Sequence, residues 1–278
     1  ARWQLAAGNP DGALHNVQKA LQGQPDDPAA MALAVEIEMR RGDVARTDAA
    51  LKALGAKHPK RVETTLATAN LAMARGQYPA AIAAYRTVLA QEETTANALQ
   101  LVRAYLAAGD ANKAAAFLEG WVKARPSDLL AQKALAEAQF RAGLLPAARQ
   151  TYARALAAAP DDAQLLNNYA NLLLQMKDPA AQAQAEKALR LVPDNPSYRD
   201  TLGWILVQQG QTEAGLRHLR DARLRSPENA EIRFHLAYAL AKTGRQAEAR
   251  DELSVALASP GRVGSSEALV RLKKELGL

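Results

Sequence analysis

The sequence predicts an all-α superhelical solenoid of about eight helix–turn–helix repeats, closed by a C-terminal capping helix. Three observations predict it. A Gly-centred turn returns every 33 or 34 residues, at Gly8, Gly42, Gly76, Gly109, Gly143, Gly210 and Gly244, with Lys177-Asp178-Pro179 in the same place in the sixth repeat. Small side chains recur at fixed distances from those turns. The apolar fraction of 49% comes mainly from Ala and Leu, with aromatics at 5%, a composition that favours helix over strand. The expected bounds are 1–260 for the repeat array and 261–278 for the capping helix. A 278-residue chain is large for one compact core, but in a stack each repeat packs only on its neighbours.

Each element follows from its end signals. Gly at the turn accepts the left-handed conformation that closes a first helix. Pro10, Pro79, Pro146 and Pro179 are expected at the first position of the second helix, where a missing N–H costs nothing. Seventeen residues after the turn Gly, Pro25, Pro59, Pro126, Pro160 and Pro227 end that helix, as does Pro193 if the sixth turn lacks one residue. Polar pairs then cap the next first helix: Asp26-Asp27, Ser127-Asp128, Asp161-Asp162 and Glu228-Asn229. Five residues after Gly stand Ala13, Ala81, Ala114, Ala148, Gly215 and Ala249, and twelve after it Ala20, Ala155, Ala222 and Ala256. Nine after it stand larger residues, among them Leu51, Tyr85, Leu118, Tyr152, Leu219 and Leu253, while Ala69, Ala136, Gly203 and Ala237 lie seven before. Small positions let helices approach and large ones fill the space to the next repeat.

Four places depart from the pattern. Only seven residues precede the first turn Gly, against about fourteen in the other repeats, so the chain is expected to be a piece of a longer protein with its targeting signals upstream. Glu93 replaces a Pro, leaving Thr94 and Thr95 as the expected caps of the fourth repeat. The sixth turn has lost its Gly and one residue, which predicts two intact helices with a tightened turn. After Pro260-Gly261 the register stops, and Ser265 or Ser266 can cap a last helix with Leu269, Leu272 and Leu276 on one face and Arg271, Lys273 and Lys274 opposite. Such an amphipathic lid suits an open solenoid end and makes this the expected natural C-terminus.

Composition and motifs exclude much chemistry. The net charge of +6, from 35 cations and 29 carboxylates, is mild and interleaved, which reads as a solvated surface and not a nucleic-acid footprint. The densest positive cluster, Arg217, Arg220, Arg223 and Arg225, reads as a solvated outer helix face. No apolar run approaches the roughly 20 residues of a membrane-spanning helix. Cysteine is absent, which removes disulfides and thiolate sites. His15, His58, His218 and His235 are scattered, and no zinc motif, Gly-rich phosphate loop or nucleophile elbow occurs. The expectation is a non-catalytic protein without cofactor or metal.

The offsets taken together resemble the tetratricopeptide repeat (TPR) consensus along nearly the whole chain. That resemblance implies first helices lining a concave groove, with inward side chains about ten, six, three and two residues before the turn Gly. In the N-terminal half these are Ala32, Glu36, Met39, Leu66, Asn70, Met73, Leu99 and Arg103. From the fifth repeat they become Lys133 and Glu137, then Asn167, Asn171 and Gln175, then Asp200, Trp204 and Gln208, then Phe234, Tyr238 and Lys242. Amides suit the backbone of an extended peptide and aromatics supply rigid contact area, so a peptide or protein partner is expected there. The same groups suit a polysaccharide, and the rings can equally pack against the neighbouring repeat. The carboxylate clamp of chaperone-binding TPR domains is not reproduced: Lys133 and Asn168 fit, but Glu137, Ser197 and Thr201 stand at its other positions.

Between Asn167 and Leu257 the likeness narrows. The Gly-less turn KDP at 177–179 and the string DTLGWILVQQGQ from Asp200 to Gln211 resemble the C-terminal end of the PEP-CTERM system TPR-repeat lipoproteins (PrsT family), which accompany exosortase and exopolysaccharide gene clusters in bacteria. The resemblance implies an exported envelope lipoprotein on the periplasmic side, with membrane contact only through a lipid anchor upstream. It implies a scaffold for envelope proteins, the alternatives being a polysaccharide-binding scaffold of an export system or the accessory domain of a larger envelope enzyme. Nucleic acid is not an expected partner.

Overall fold

The structure, a computed structural model, describes residues 1–259, 263 and 266–278. Among the described residues all regular structure is α-helical, in seventeen helices. They group into two compact units, Ala1–Ala142 and Gly143–Leu278. The first holds α1 (Arg2–Ala6), α2 (Pro10–Gly23), α3 (Pro28–Arg41), α4 (Val44–Lys57), α5 (Val62–Ala74), α6 (Tyr78–Gln91), α7 (Thr95–Ala107), α8 (Ala111–Ala124) and α9 (Leu129–Arg141). The second holds α10 (Leu145–Ala158), α11 (Ala163–Gln175), α12 (Ala181–Leu191), α13 (Pro196–Gln208), α14 (Thr212–Arg225), α15 (Ala230–Lys242), α16 (Gln246–Ala258) and α17 (Glu267–Leu276).

One turn shows how the helix pairs are joined. Gly42 has φ +75°, its N–H donates to the Met39 carbonyl, and the next N–H, of Asp43, reaches back to Glu38. Two carbonyls that the end of α3 would leave unpaired are thereby satisfied. Asp43 then accepts from the Arg46 N–H and starts α4. The sixth turn achieves the same geometry with a lysine: Lys177 has φ 56°, and Asp178 N–H donates to the Leu173 carbonyl. The missing residue is absorbed just beyond, where Asp178 accepts from Ala180 N–H and Ala181 N–H bonds the Asp178 carbonyl three residues back. α12 consequently begins later and runs 11 residues, while α10 and α14 run 14.

Several expectations need adjustment. Pro10 is the first residue of its helix, but Pro79 and Pro146 are the second and Pro179 precedes α12. The first turn of a helix has several free N–H positions, so the second tolerates proline as well as the first. Thr94 caps α7 by accepting from Asn97 N–H, whereas Thr95 turns its hydroxyl to Asp128. Asp27, Asp128, Asp162 and Asn229 cap α3, α9, α11 and α15. Ala20 is exposed, while the equivalent Ala155, Ala222 and Ala256 are buried.

Packing follows the small-residue register. Ala81, Ala114, Ala148 and Ala249 are fully buried where second helices meet first helices, as are Ala69, Ala136 and Ala237 on the facing side. In α13 and α14 both partners are glycine. A Cβ on Gly215 would lie 2.6 Å from the Gly203 carbonyl oxygen and 2.6 Å from Val207 Cγ2, so these backbones approach closer than alanine allows. In the first unit Tyr85, Leu101, Leu118 and Trp121 join one core cluster, and in the second Leu236, Leu240 and Leu253 pack with Leu269, Leu272 and Leu276 of α17. Ser266 caps α17 through the Leu269 N–H. Ser265 and Pro260-Gly261 fall outside the described residues. No described helix is long and apolar enough to cross a membrane.

Candidate functional site

In the second unit α11, α13 and α15 pack against one another in succession as the first helices of their repeats. Asn171, Trp204 and Tyr238 each stand six residues before the turn residue, so successive helices present them at one register. The aromatic residues form a cluster. Trp204 and His235 stack with centroids 4.2 Å apart and planes inclined by 16°. Tyr238 meets Trp204 edge-on at 5.0 Å, and Phe234 lies 5.9 Å from the indole. Lys242 places its Nζ 5.2 Å from the Tyr238 ring centroid, one turn further along α15. Trp204 and Tyr238 keep part of their surface open, while Phe234 is buried beneath them.

A polar pair holds the stack. His235 Nδ1 lies 2.9 and 3.0 Å from the two carboxylate oxygens of Asp200, and both residues are buried. A carboxylate only accepts, so the Nδ1–H donates, and this fixes the tautomer and the plane of the imidazole against Trp204. In the sequence His235 is one of four scattered histidines and carries no site assignment. The fold brings it to Asp200 on the preceding first helix, 35 residues away in sequence.

The other expected residues divide by environment. Asn167 is buried, and no group among the described residues donates to its Oδ1. Asn171 is half-buried, and Gln175, Gln208 and Lys242 lie at the ends of their helices, Gln208 and Lys242 exposed and Gln175 largely open. Lys133 and Glu137 belong to α9 in the first unit, where Glu137 pairs with Arg141 at 2.7 Å. Beside them lies a cavity of about 410 Å³ lined by Leu99, Arg103, Leu106, Ala134 and Glu137, among others. A smaller one of about 190 Å³ opens among Ala32, Glu36, Met39, Leu66 and Asn70. Asn70 accepts a 2.6 Å hydrogen bond from the Tyr85 hydroxyl. On the second-helix side Arg220 pairs with Glu248, Arg223 with Glu252, and Arg225 with Asp194 and Asp221. Among the described residues no group of three His, Cys, Asp or Glu is placed to hold a metal ion.

Two models of the tetratricopeptide repeat match the chain, one over residues 4–69 and 72–138 and the other over 133–196 and 201–262. No curated protein matches it in sequence. Among solved structures, a tetratricopeptide repeat protein from Parabacteroides merdae superposes with a TM-score of 0.64 at 17% identity, covering 85% of this chain and 94% of that one. Cut9, in the Cut9–Hcn1 heterotetramer of the APC/C, gives 0.64 at 18% identity over 93% of this chain and 52% of its own. MamA from Desulfovibrio magneticus gives 0.50 at 17% identity, over 58% of this chain and 92% of that one. At these identities the structures share the fold, and the family matches span nearly the whole sequence. The protein is a member of the tetratricopeptide repeat family, whose arrays serve in general as non-catalytic scaffolds for protein interaction.

Proposed function

We propose that the first-helix face of α11, α13 and α15 binds an extended peptide segment of a protein partner. The observation that carries this reading is the partly open Trp204–Tyr238 pair, which stands at the same helix register as the half-buried Asn171 on the neighbouring first helix. The aromatic pair is already fixed by His235 and Asp200, so little side-chain freedom is lost when a ligand arrives. Asn171, Gln175 and Gln208 add donors and acceptors for a peptide backbone, and Lys242 a cation at one end. Because His235 takes one face of the indole, a sugar ring would have only the other, which favours peptide over polysaccharide. In the first unit, Lys133 and Glu137 would serve the same purpose beside Arg103.

The KDP turn and the Asp200–Gln211 string support placing this scaffold among the PEP-CTERM system lipoproteins, acting on envelope partners of an exopolysaccharide system. The N171A/W204A double variant tests the face. It is expected to retain its helical circular dichroism while losing at least tenfold in affinity for a partner cross-linked through a photoreactive residue at Gln208. Unchanged affinity would remove this face from consideration. Binding to a glycan array that vanishes with Trp204→Ala would instead select the polysaccharide reading.

A further inference from the structure

The two units carry the same cleft in different electrostatic states. In the second unit it lies between the second helices α14 and α16, floored by Leu236 and Leu240 of α15. Arg220 stands ten residues after its turn Gly, and Glu248 four after the next; they pair across the cleft at 3.3 Å. Arg223 and Glu252 pair beside them at 3.0 Å. The corresponding cleft of the first unit lies between α6 and α8, floored by Leu101 and Tyr105 of α7, with a volume of about 680 Å³. Arg86 occupies the position of Arg220, but the position of Glu248 holds Lys113, and those of Arg223 and Glu252 hold Leu89 and Phe117. Where one cleft, of about 340 Å³, is spanned by two ion pairs, the other has two cations on its rim and two apolar side chains on its walls.

The polar groups of this cleft are arranged to donate. The Tyr105 oxygen accepts from Arg86 Nε at 3.0 Å and Nη2 at 2.6 Å, so the phenol has its own O–H left to give. Tyr105 is buried against the cleft floor and Arg86 is exposed at its rim, with no carboxylate within ion-pairing distance among the described residues. Glu93, also on the rim, is engaged by Arg125 at 2.9 Å, and Lys113 is steadied by Asp110 at 2.7 Å. A site with a phenol O–H, a guanidinium and an ammonium selects an acceptor-only group, and a carboxylate can take the guanidinium N–H donors that Tyr105 leaves open. Apolar walls at Leu89, Ala116 and Phe117 call for a hydrophobic side chain next to it.

We propose that the α6–α8 cleft of the first unit binds an acidic peptide segment of a partner protein, its carboxylate on Arg86, Tyr105 and Lys113 and a neighbouring apolar side chain between Leu89 and Phe117. The partner's carboxylate takes the place that Glu248 fills in the second unit. The site is independent of the first-helix face that carries Trp204.

A displayed library of random peptides, selected on the full chain, tests this. The selected peptides are expected to pair Asp or Glu with Leu, Ile or Phe, and to lose at least tenfold in affinity when their carboxylates become amides. They should lose as much on Arg86→Gln, on Ala116→Trp, which fills the cleft from an exposed helix position, and on Lys113→Glu. The last variant supplies the missing carboxylate from within, so it should keep or raise the urea midpoint while abolishing binding, which separates loss of the site from loss of the fold. Peptides that bind Lys113→Glu and Ala116→Trp as tightly as the parent overturn the proposal. So does a selection yielding only peptides lost with Trp204→Ala, which belong to the other face. Anionic phosphatidylglycerol vesicles captured through Arg86, with no peptide enriched, would likewise overturn it by assigning the cations to a lipid surface.

Discussion

Trp204 and His235 sit ring on ring, 4.2 Å between centroids, although they belong to different repeats. The imidazole is clamped from behind by Asp200, one helical turn before Trp204 on α13. The indole therefore joins α13 to α15 and keeps part of its surface open at the same time. A side chain in both roles should show two separable effects when removed.

Trp204→Ala is expected to lower unfolding stability by about 2 kcal/mol, below the range for a fully buried tryptophan because part of the ring is exposed. Trp204→Phe should restore most of that stability without restoring partner affinity. Urea titration followed by circular dichroism measures the first, and equilibrium binding the second. A change under ~0.5 kcal/mol for the alanine variant would show that the ring contributes nothing to packing between the repeats.

Glycine has opposite values at two helical sites. Gly215→Ala is expected to destabilise by about 2 kcal/mol or more, since its methyl would meet the Gly203 carbonyl oxygen, which belongs to backbone and cannot step aside. Gly120 lies within α8, and nothing stands within 4 Å of the place an alanine methyl would take, so Gly120→Ala should stabilise by roughly 0.5–1 kcal/mol through helix propensity. Equal effects of the two substitutions would refute the close approach of α13 and α14.

Lys177 holds a left-handed backbone, φ 56°, which costs a side-chain-bearing residue about 1 kcal/mol. Lys177→Gly should therefore raise the melting temperature by a few degrees, the reverse of what glycine does within a helix. A fall would mean that the lysine side chain contributes more than the backbone strain costs.

His218 is pushed below its ordinary pKa, first by burial and then by the charges of Arg199 and Arg217; Asp221 and Glu186 act in the opposite direction. Its Nδ1 has no hydrogen-bond partner among the described residues. An unfolded histidine takes up its proton near pH 6.5, before the folded one does. The stabilising contribution of the neutral ring is thus complete above that pH and disappears as the pH falls through the folded pKa. Urea midpoints compared between about pH 7.5 and 5 should fall more for the parent than for His218→Gln. Parallel curves would rule out this residue as a source of acid sensitivity.

Much of the fold was legible because it is repeated. Gly42, Gly76 and Gly109 carry the same backbone requirement, so each supports the reading of the others, and even the lysine at 177 could be located by its spacing. The site was less legible. Helix register placed Trp204, Phe234 and Tyr238 on one face, yet gave no sign that Asp200 would be engaged by His235, because that bond joins residues 35 apart in sequence. Likewise the threonines at 94 and 95 look alike in sequence. Only the position of Asp128 at the start of α9 decides that one caps α7 and the other turns away from it. The Arg86–Lys113 opposition was readable from the offsets, but its meaning depends on the paired version at Arg220 and Glu248.

Asp128 gathers the Thr95 hydroxyl, the Trp121 indole N–H and the Ala131 backbone N–H around one carboxylate. Burial opposes its ionisation, yet these donors outweigh burial and hold its pKa below the usual aspartate value. A single protonation event in strong acid would accordingly slacken three successive helices together, and dissolution of the first unit by acid should begin at that knot.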